Sequence, residues 1–159
     1  MKQITDFISR FGTSLKLDES LIIEKQGRFY LLSSKLKGSI SEGFFYAGAY
    51  LGKTRHGVFF PSFSLLAMIA ARKEANKVTV NERSEWLFVV GRDLFKQGIL
   101  KANGSTREGT YTLVVNQHEE SLGFGRIVRS LDGRGDKQRI AVRNVSDIGD
   151  FLRREKRYG

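Results

Sequence analysis

Apolar and polar positions in the first half of the chain follow helical and strand periods in turn. Apolar residues share one helical face from Ile4 to Phe11, and Gly12 is placed to end this helix. The apolar runs LIIEK and FYLLS flank the turn residues QGR, which predicts a hairpin. Ser62 follows Pro61 and is suited to cap a second helix. The predicted elements are a helix over residues 4–11, a hairpin of 21–25 and 29–33, a helical turn ended by Gly38, strands over 44–54 and at GVFFP, a helix over 62–76 and a strand at KVTV.

The pattern changes after the polar segment NERSE, at residues 81–85, which predicts a domain boundary there. Short strands joined by glycine-rich loops follow and are typical of a small barrel. The predicted elements are a buried strand at EWLFVVG, a short helix at RDLFKQG ended by Gly98, strands at TYTLVVN, LGFGRIV and QRIAVRNV, and a closing helix at SDIGDFLRRE capped by Ser146. We therefore predict an α+β protein: an N-terminal mixed α/β domain with an antiparallel sheet over 1–84, then a small β-barrel-like domain over 85–159.

The amino-acid composition limits the classes of function that the chain can have. The 159 residues carry a formal net charge of +10, which in a folded domain is typical of a nucleic-acid partner, although a basic surface kept for solubility is the alternative. The chain has no cysteine and two histidines, so thiolate chemistry is excluded and a metal site is not expected. No apolar run approaches the roughly 20 residues that span a bilayer, and we expect an intracellular, soluble protein.

The segment SLGFGRIVRS resembles a phosphate-binding turn at first sight. A dinucleotide fingerprint needs a third glycine three residues after the second, at the start of a helix, but position 128 is Val and the run continues as a strand. No nucleotide cofactor is therefore expected, and the two glycines are interpreted as easing a bend or a close backbone approach. Arg126 and Arg129 alternate across the strand, and we expect Arg126 to be the one that contacts RNA.

Basic residues concentrate near the C-terminal end of the chain. Residues 126–157 hold ten basic and five acidic side chains. The late bases of the closing helix either complement its dipole or form a phosphate-contact patch. Two further lysines flank the short helix and are either solvated or line the same groove. The predicted RNA-binding residues are Lys96, Lys101, Arg126, Arg153, Arg154, Lys156 and Arg157.

Other candidates have two interpretations each. The segment KTRHG, at residues 53–57, is either a second RNA or protein contact or a charged hairpin loop, and the loop is favoured. Tyr111 and Phe124 either stack bases or belong to the core, and the core is favoured for both and for Trp86. The paired carboxylates Glu119–Glu120 and Asp132–Asp136 lie in predicted turns, where such residues are common. No nucleophile–base–orienter set is found, so catalysis is not expected.

Several motifs, in this order and spacing, resemble a known family. The segments VVGRDLFKQGILKANG, SLGFGRIV and VSDIGDFLRRE resemble a PUA domain, in particular that of the Nip-seven family of ribosome-biogenesis factors. The first half, with FFYAGAYLGKTRHGVFFPSFSLLAMIA and KVTVNERSEWLFVVG, resembles the pre-PUA domain and its crossing into the PUA barrel. The resemblance covers nearly the whole chain, most closely residues 44–155.

The resemblance implies an RNA-binding assembly factor for the large ribosomal subunit that acts in pre-rRNA processing without catalysis. It implies binding of uridine- or adenine/uridine-rich RNA through the PUA domain and contact with assembly factors such as SBDS. Arg153 lies where the family motif ends in Arg, whereas Arg154, Lys156 and Arg157 rest on charge. The chain resembles the compact archaeal members, so we expect a cytoplasmic monomer, or a nucleolar or nuclear one if the source is eukaryotic.

Two other functions stay open from the sequence. PUA domains are often joined to RNA-modifying enzymes, so the chain is alternatively such an enzyme or its accessory subunit. It is also interpretable as a protein–protein adaptor in ribosome assembly, with Phe44, Phe45 and Tyr46 of the first half at the interface.

Overall fold

The computed structural model describes residues 1–40, 43, 47–133, 135–150 and 153. The helices are α1 (Lys2–Ser9), α2 (Ser34–Ser39), α3 (Phe63–Ala70) and α4 (Glu82–Val89), with 3₁₀ helices at Glu19–Leu21 and Lys96–Gly98. The strands are β1 (Ile22–Lys25), β2 (Arg28–Leu31), β3 (Ala49–Arg55), β4 (Val58–Pro61), β5 (Lys77–Val80), β6 (Leu94–Phe95), β7 (Ile99–Asn103), β8 (Tyr111–Val115), β9 (Ser121–Ile127) and β10 (Ile140–Asp147). None of the helices within these ranges is long and apolar enough to span a membrane.

The first four strands form an antiparallel sheet in the order β1-β2-β3-β4. The side chains of Ser33 and Ser62 each accept a hydrogen bond from a backbone N–H three residues later, which fixes the starts of α2 and α3. The predicted hairpin, the strand at GVFFP and the cap at Ser62 are confirmed. The predicted strand over 44–54 is confirmed only from Ala49, because residues 44–46 lie outside the described part of the chain.

The remaining strands form a second sheet in the order β6-β10-β9-β8-β5-β7. Its neighbours are antiparallel except for the parallel pair β5–β8. The two edge strands, β6 and β7, are separated in sequence only by the 3₁₀ helix Lys96–Gly98. Such a short connection brings the two edges together, so the sheet is curled into a half-barrel. The predicted α+β class with a barrel-like second half is confirmed.

The two halves share one hydrophobic core. Leu113 and Phe124 on one face of the second sheet pack with Phe7 of α1, and the ring centroids of Phe7 and Phe124 are 5.5 Å apart. Val114 and Leu122, on the other face, line the inside of the curled sheet. Strands β8 and β9 are therefore buried on both faces, which explains why their sequences show continuous apolar runs rather than alternation. Phe124 is a core residue, as favoured from the sequence.

The glycines of β9 permit a close approach to β10. Gly123 has φ 141°, and a Cβ there would lie 2.1 Å from the carbonyl oxygen of Ser146. A Cβ on Gly125 would lie 2.5 Å from the carbonyl oxygen of Arg143. The interpretation of GFG as a glycine-eased strand is confirmed, because any side chain at either position would collide with backbone.

The predicted strand at EWLFVVG is wrong. Asn81 caps α4 by accepting a hydrogen bond from the backbone N–H of Ser84, and two acids, Glu82 and Glu85, lie in the first turn. Trp86 is 63% exposed on this helix and is not a core residue. The predicted boundary between residues 84 and 85 therefore falls inside α4, and β5 before it already belongs to the second sheet.

Three further predictions differ from the structure. The segment predicted as a short helix contains β6 followed by a 3₁₀ helix, because Leu94 and Phe95 pair with β10. Ser146 does not cap the closing helix, since it lies within β10 opposite Phe124; helical backbone begins at residue 149. The two other predicted helices also differ: the one over 4–11 is shifted to Lys2–Ser9 with its length unchanged, and the one over 62–76 is shorter and ends at Ala70.

Candidate nucleic-acid interface

A basic groove runs along the edge where the second sheet closes. One depression of about 440 Å³ is lined by Lys96, Lys101 and Lys137 with apolar Leu100 and Leu131. A smaller one of about 130 Å³ shares Lys96 and is lined by Arg129 and Arg139. The two depressions together bring five basic side chains to one surface, which we call the basic groove. Lys96 and Lys101 therefore line the same groove, which was one of the two alternatives for them.

Backbone pairing fixes the position of these side chains. The backbone N–H of Lys96 donates to the carbonyl oxygen of Arg139 at 3.1 Å, and the backbone N–H of Gln97 donates to the carbonyl oxygen of Lys137 at 3.0 Å. The Lys96 ammonium also donates to the carbonyl oxygen of Gly133. The loop after β9 is thereby folded back over the 3₁₀ helix, which places bases from distant parts of the sequence next to each other.

The charge of the groove is mostly uncompensated. Asp132 and Asp136 are the acids that line it. Asp136 pairs with Arg139 at 3.3 Å, with both side chains about half exposed, and Asp132 accepts a hydrogen bond from Thr106. Exposed pairs of this kind contribute little to stability. Five bases against two acids leave a positive surface suited to a polyanion.

Exposed apolar side chains border the groove. Phe95 of β6 lies directly opposite Ile140 of β10, and both are more than one third exposed. Leu100 on the other side is 56% exposed. A flat aromatic or aliphatic surface beside phosphate-binding charges is the arrangement on which unpaired bases stack.

Arg126 lies apart from this groove. It is opposite Arg143 of β10 and Tyr111 of β8, and its Nε donates to the carbonyl oxygen of Gly109 at 3.2 Å. The guanidinium of Arg10 lies 5.6 Å from the centroid of the Tyr111 ring. Arg129, not Arg126, lines the groove, contrary to the preference expressed from the sequence.

Arg153 has an anchoring role. Its Nη2 donates to both carboxylate oxygens of Asp147, at 3.0 and 2.8 Å, and its Nη1 donates to the carbonyl oxygen of Val89 at 2.7 Å. The hydrogen bonds that Arg153 donates to Asp147 raise the pKa of its guanidinium above the usual value. These contacts join the C-terminal segment to α4 and β10. The Arg153 side chain is 41% exposed.

The other predicted site residues of the closing helix, Arg154, Lys156 and Arg157, lie outside the described residues. The sequence reasoning did not single out Lys137 and Arg139, which line the basic groove, and it preferred Arg126 to Arg129. The available signal was the run of bases through the Gly/Asp loop after β9. Within the described ranges, no cluster of three or more His, Asp or Glu side chains is arranged to hold a metal ion.

Comparison with known proteins gives similarity over the whole chain. Residues 76–156 match the family model described as the UPF0113 PUA domain. A UPF0113 protein of Archaeoglobus fulgidus is 30% identical over 164 residues, which cover 99% of this chain and 92% of that protein.

Two solved structures have a similar fold. A conserved PUA domain protein from Thermoplasma acidophilum is 22% identical, with a TM-score of 0.61 over 97% of this chain and 92% of that one. A hypothetical protein from Pyrococcus horikoshii is 16% identical, with a TM-score of 0.56 over 95% and 93% of the two chains. At these identities the likeness concerns the fold alone.

Proposed function

Since the chain belongs to the UPF0113 PUA-domain family, we propose that it binds RNA and that the basic groove is its principal contact. The observation that carries the proposal is the convergence of Lys96, Lys101 and Arg129 with Lys137 and Arg139 beside exposed apolar side chains. Phosphates would pair with the bases, and unpaired nucleobases would lie on Phe95, Ile140 or Leu100.

The test is binding of a fluorescent single-stranded oligouridylate across a salt series. Each phosphate that a side chain neutralises contributes about −0.7 to the slope of log K against log salt for single strands. The variant Lys96→Gln/Lys101→Gln is therefore expected to bind more weakly, with a slope shallower by about 1.4. The charge-matched control Lys2→Gln/Lys16→Gln removes two exposed lysines from the N-terminal segment and should retain the wild-type slope. A groove variant indistinguishable from this control would refute the assignment.

We further propose that the RNA is a precursor of the large ribosomal subunit and that the protein acts as a non-catalytic assembly factor. The support is the similarity of its motifs to the Nip-seven family. A deletion strain should accumulate unprocessed pre-rRNA and lose large subunits in a sucrose gradient. The purified protein should leave the nucleosides of a pre-rRNA transcript unmodified by mass spectrometry, and a modified nucleoside there would favour the enzyme alternative.

A role as a protein adaptor is favoured by a separate observation. Trp86 on α4 and Val90, the residue that directly follows this helix, are both exposed, although large apolar side chains are usually buried. Assembly factors such as SBDS are the proposed partners. Loss of a co-purifying factor in a Trp86→Ser variant, after nuclease treatment, would support this role, and retention of every factor would refute it.

A further inference from the structure

The N-terminal sheet carries a row of basic and aromatic side chains. Lys25 of β1 lies opposite Arg28 of β2, Arg28 lies opposite Lys53 of β3, and Lys53 lies opposite Phe60 of β4. Residues directly opposite each other in neighbouring strands present their side chains on the same face. The four residues therefore form one continuous row across the sheet, with Arg55 in the adjacent position of β3.

This row faces away from the core. Phe29 and Phe59, the sequence neighbours of Arg28 and Phe60, pack in the core with α1. Thr54, the neighbour of Lys53, accordingly contacts Gln3 of α1 through its hydroxyl group. Because successive side chains in a strand alternate between faces, the row lies on the outer face.

Helix α2 covers the other end of the same face. Tyr30 and Tyr50 pack there with Leu36 of α2. Beyond them Arg28, Lys53 and Arg55 are exposed, and Phe60 is 40% exposed. The uncovered part of the face is thus the end that carries the two hairpin turns, next to the basic row.

Three cations of this surface, Arg28, Lys53 and Arg55, have no acidic partner among the described residues. Glu24, the one acid in these four strands, lies opposite the buried Phe29 and so belongs to the other face. Like charges directly opposite each other destabilise a sheet. An anion bound across this row would offset that repulsion.

The surface is also preorganised. Each hairpin closes through two residues with positive φ: Gln26 (52°) with Gly27 (73°), and His56 (50°) with Gly57 (76°). The N–H of Thr54 donates to the carbonyl oxygen of Gly27 at 2.7 Å, which ties the two hairpin ends together. Because the backbone of both hairpins is already ordered, binding does not have to order a loop, and that part of the entropic cost is absent.

We propose that this outer face is a second RNA-binding site, in which Arg28, Lys53 and Arg55 contact the phosphates of a single-stranded segment and a base stacks on Phe60. The proposal rests on the RNA-binding function proposed above and extends it from one surface to two. An exposed aromatic ring within a row of cations on a sheet is suited to unpaired bases, which present both a π-face and a phosphate. Under this proposal the segment KTRHG, at residues 53–57, is a nucleic-acid contact and not merely a charged hairpin loop.

The experiment uses the full chain and oligouridylates long enough to reach both surfaces. For Lys53→Gln/Arg55→Gln we expect a salt slope shallower by about 1.4, with Lys2→Gln/Lys16→Gln as the charge-matched control from the opposite side of the sheet. For Phe60→Ala we expect about tenfold weaker binding at fixed salt, because a stacked base is lost. Phe63→Ala is its control, since Phe63 at the start of α3 is also 40% exposed.

The outcomes separate this inference from the proposed function. If the wild type shows no salt-dependent RNA binding, the proposed function fails. If the wild type binds and Lys96→Gln/Lys101→Gln weakens binding while Lys53→Gln/Arg55→Gln and Phe60→Ala do not, only the second site is overturned. If these sheet variants no longer bind a purified assembly protein but bind RNA as the wild type does, the surface is a protein interface. That result would also overturn the second RNA-binding site. Folding is checked with Arg28→Gln, whose melting temperature should equal or exceed that of the wild type because a like-charge pair is removed.

Discussion

Replacement of Arg153 by alanine is expected to destabilise the protein through Asp147, a carboxylate whose side chain is only 3% exposed. The substitution removes the two hydrogen bonds to this carboxylate, while Asn144 Nδ2 still donates to it at 3.1 Å. Breaking a fully buried charge pair costs about 3–5 kcal/mol. Arg153 is partly exposed, so water replaces part of the lost interaction, and we expect about 2 kcal/mol.

That loss corresponds to a melting temperature lower by about 4–8 °C for a chain of this size. The assay is urea and thermal unfolding followed by circular dichroism, with Arg129→Ala as the control, because Arg129 is exposed and forms no ion pair in the described part of the structure. The control should remain within about 0.5 kcal/mol of the wild type. A double-mutant cycle with Asp147→Asn should give a coupling energy of about 1 kcal/mol or more. Unchanged stability in Arg153→Ala together with lost RNA binding would refute the anchoring role.

Three further predictions concern other parts of the fold. Gly123→Ala should lower the free energy of unfolding by about 3 kcal/mol, because φ is positive and the new Cβ collides with a β10 carbonyl, whereas Gly135→Ala, in open space, should be neutral in the same urea titration. The hydrogen bond from Thr13, with smaller contributions from other contacts, lowers the pKa of Glu74 from 4.5 to about 2. Ionised Glu74 therefore contributes fully to the stability of the fold above pH 4.5, and this contribution is lost as the pH falls towards 2. Glu74→Gln should flatten the dependence of stability on pH in that window, and an unaltered acid limb would contradict this origin. Trp86, the one tryptophan, is exposed and should be quenched by acrylamide in the native state almost as strongly as in urea; strong protection would contradict the placement of α4.

Elements with a clear period could be predicted from the sequence, and α4 shows where the pattern failed. The run WLFVV is apolar enough to suggest a buried strand, yet it follows an asparagine and two acids that suit a helix start. The polar segment NERSE was interpreted as a domain boundary, although its Asn81 supplies the helix cap. A helix amid strands is decided by such local hydrogen bonds, which a hydropathy pattern does not record.

The candidate site was predictable only in part. Lys96 and Lys101 are close in sequence and flank one turn, so their shared groove follows from local structure. Arg139 joins them through pairing of Lys96 with the strand that follows a distant loop, and such register is not visible from residue types. Arg153 matches the family motif, but the residue types do not reveal that it binds the buried carboxylate of Asp147, which follows a bulge in β10. The motif therefore identified Arg153 but did not reveal its structural role.

The central claim, that the groove of the second sheet is an RNA-binding surface, is tested most directly by crosslinking. The purified protein would be irradiated with 4-thiouridine-labelled single-stranded RNA, and the crosslinked peptides would be identified by mass spectrometry at low and moderate salt. We predict crosslinks within residues 92–103 and 129–140 that diminish in Lys96→Gln/Lys101→Gln. Crosslinks that avoid both segments, or that persist unchanged in this variant, would contradict the assignment of the groove.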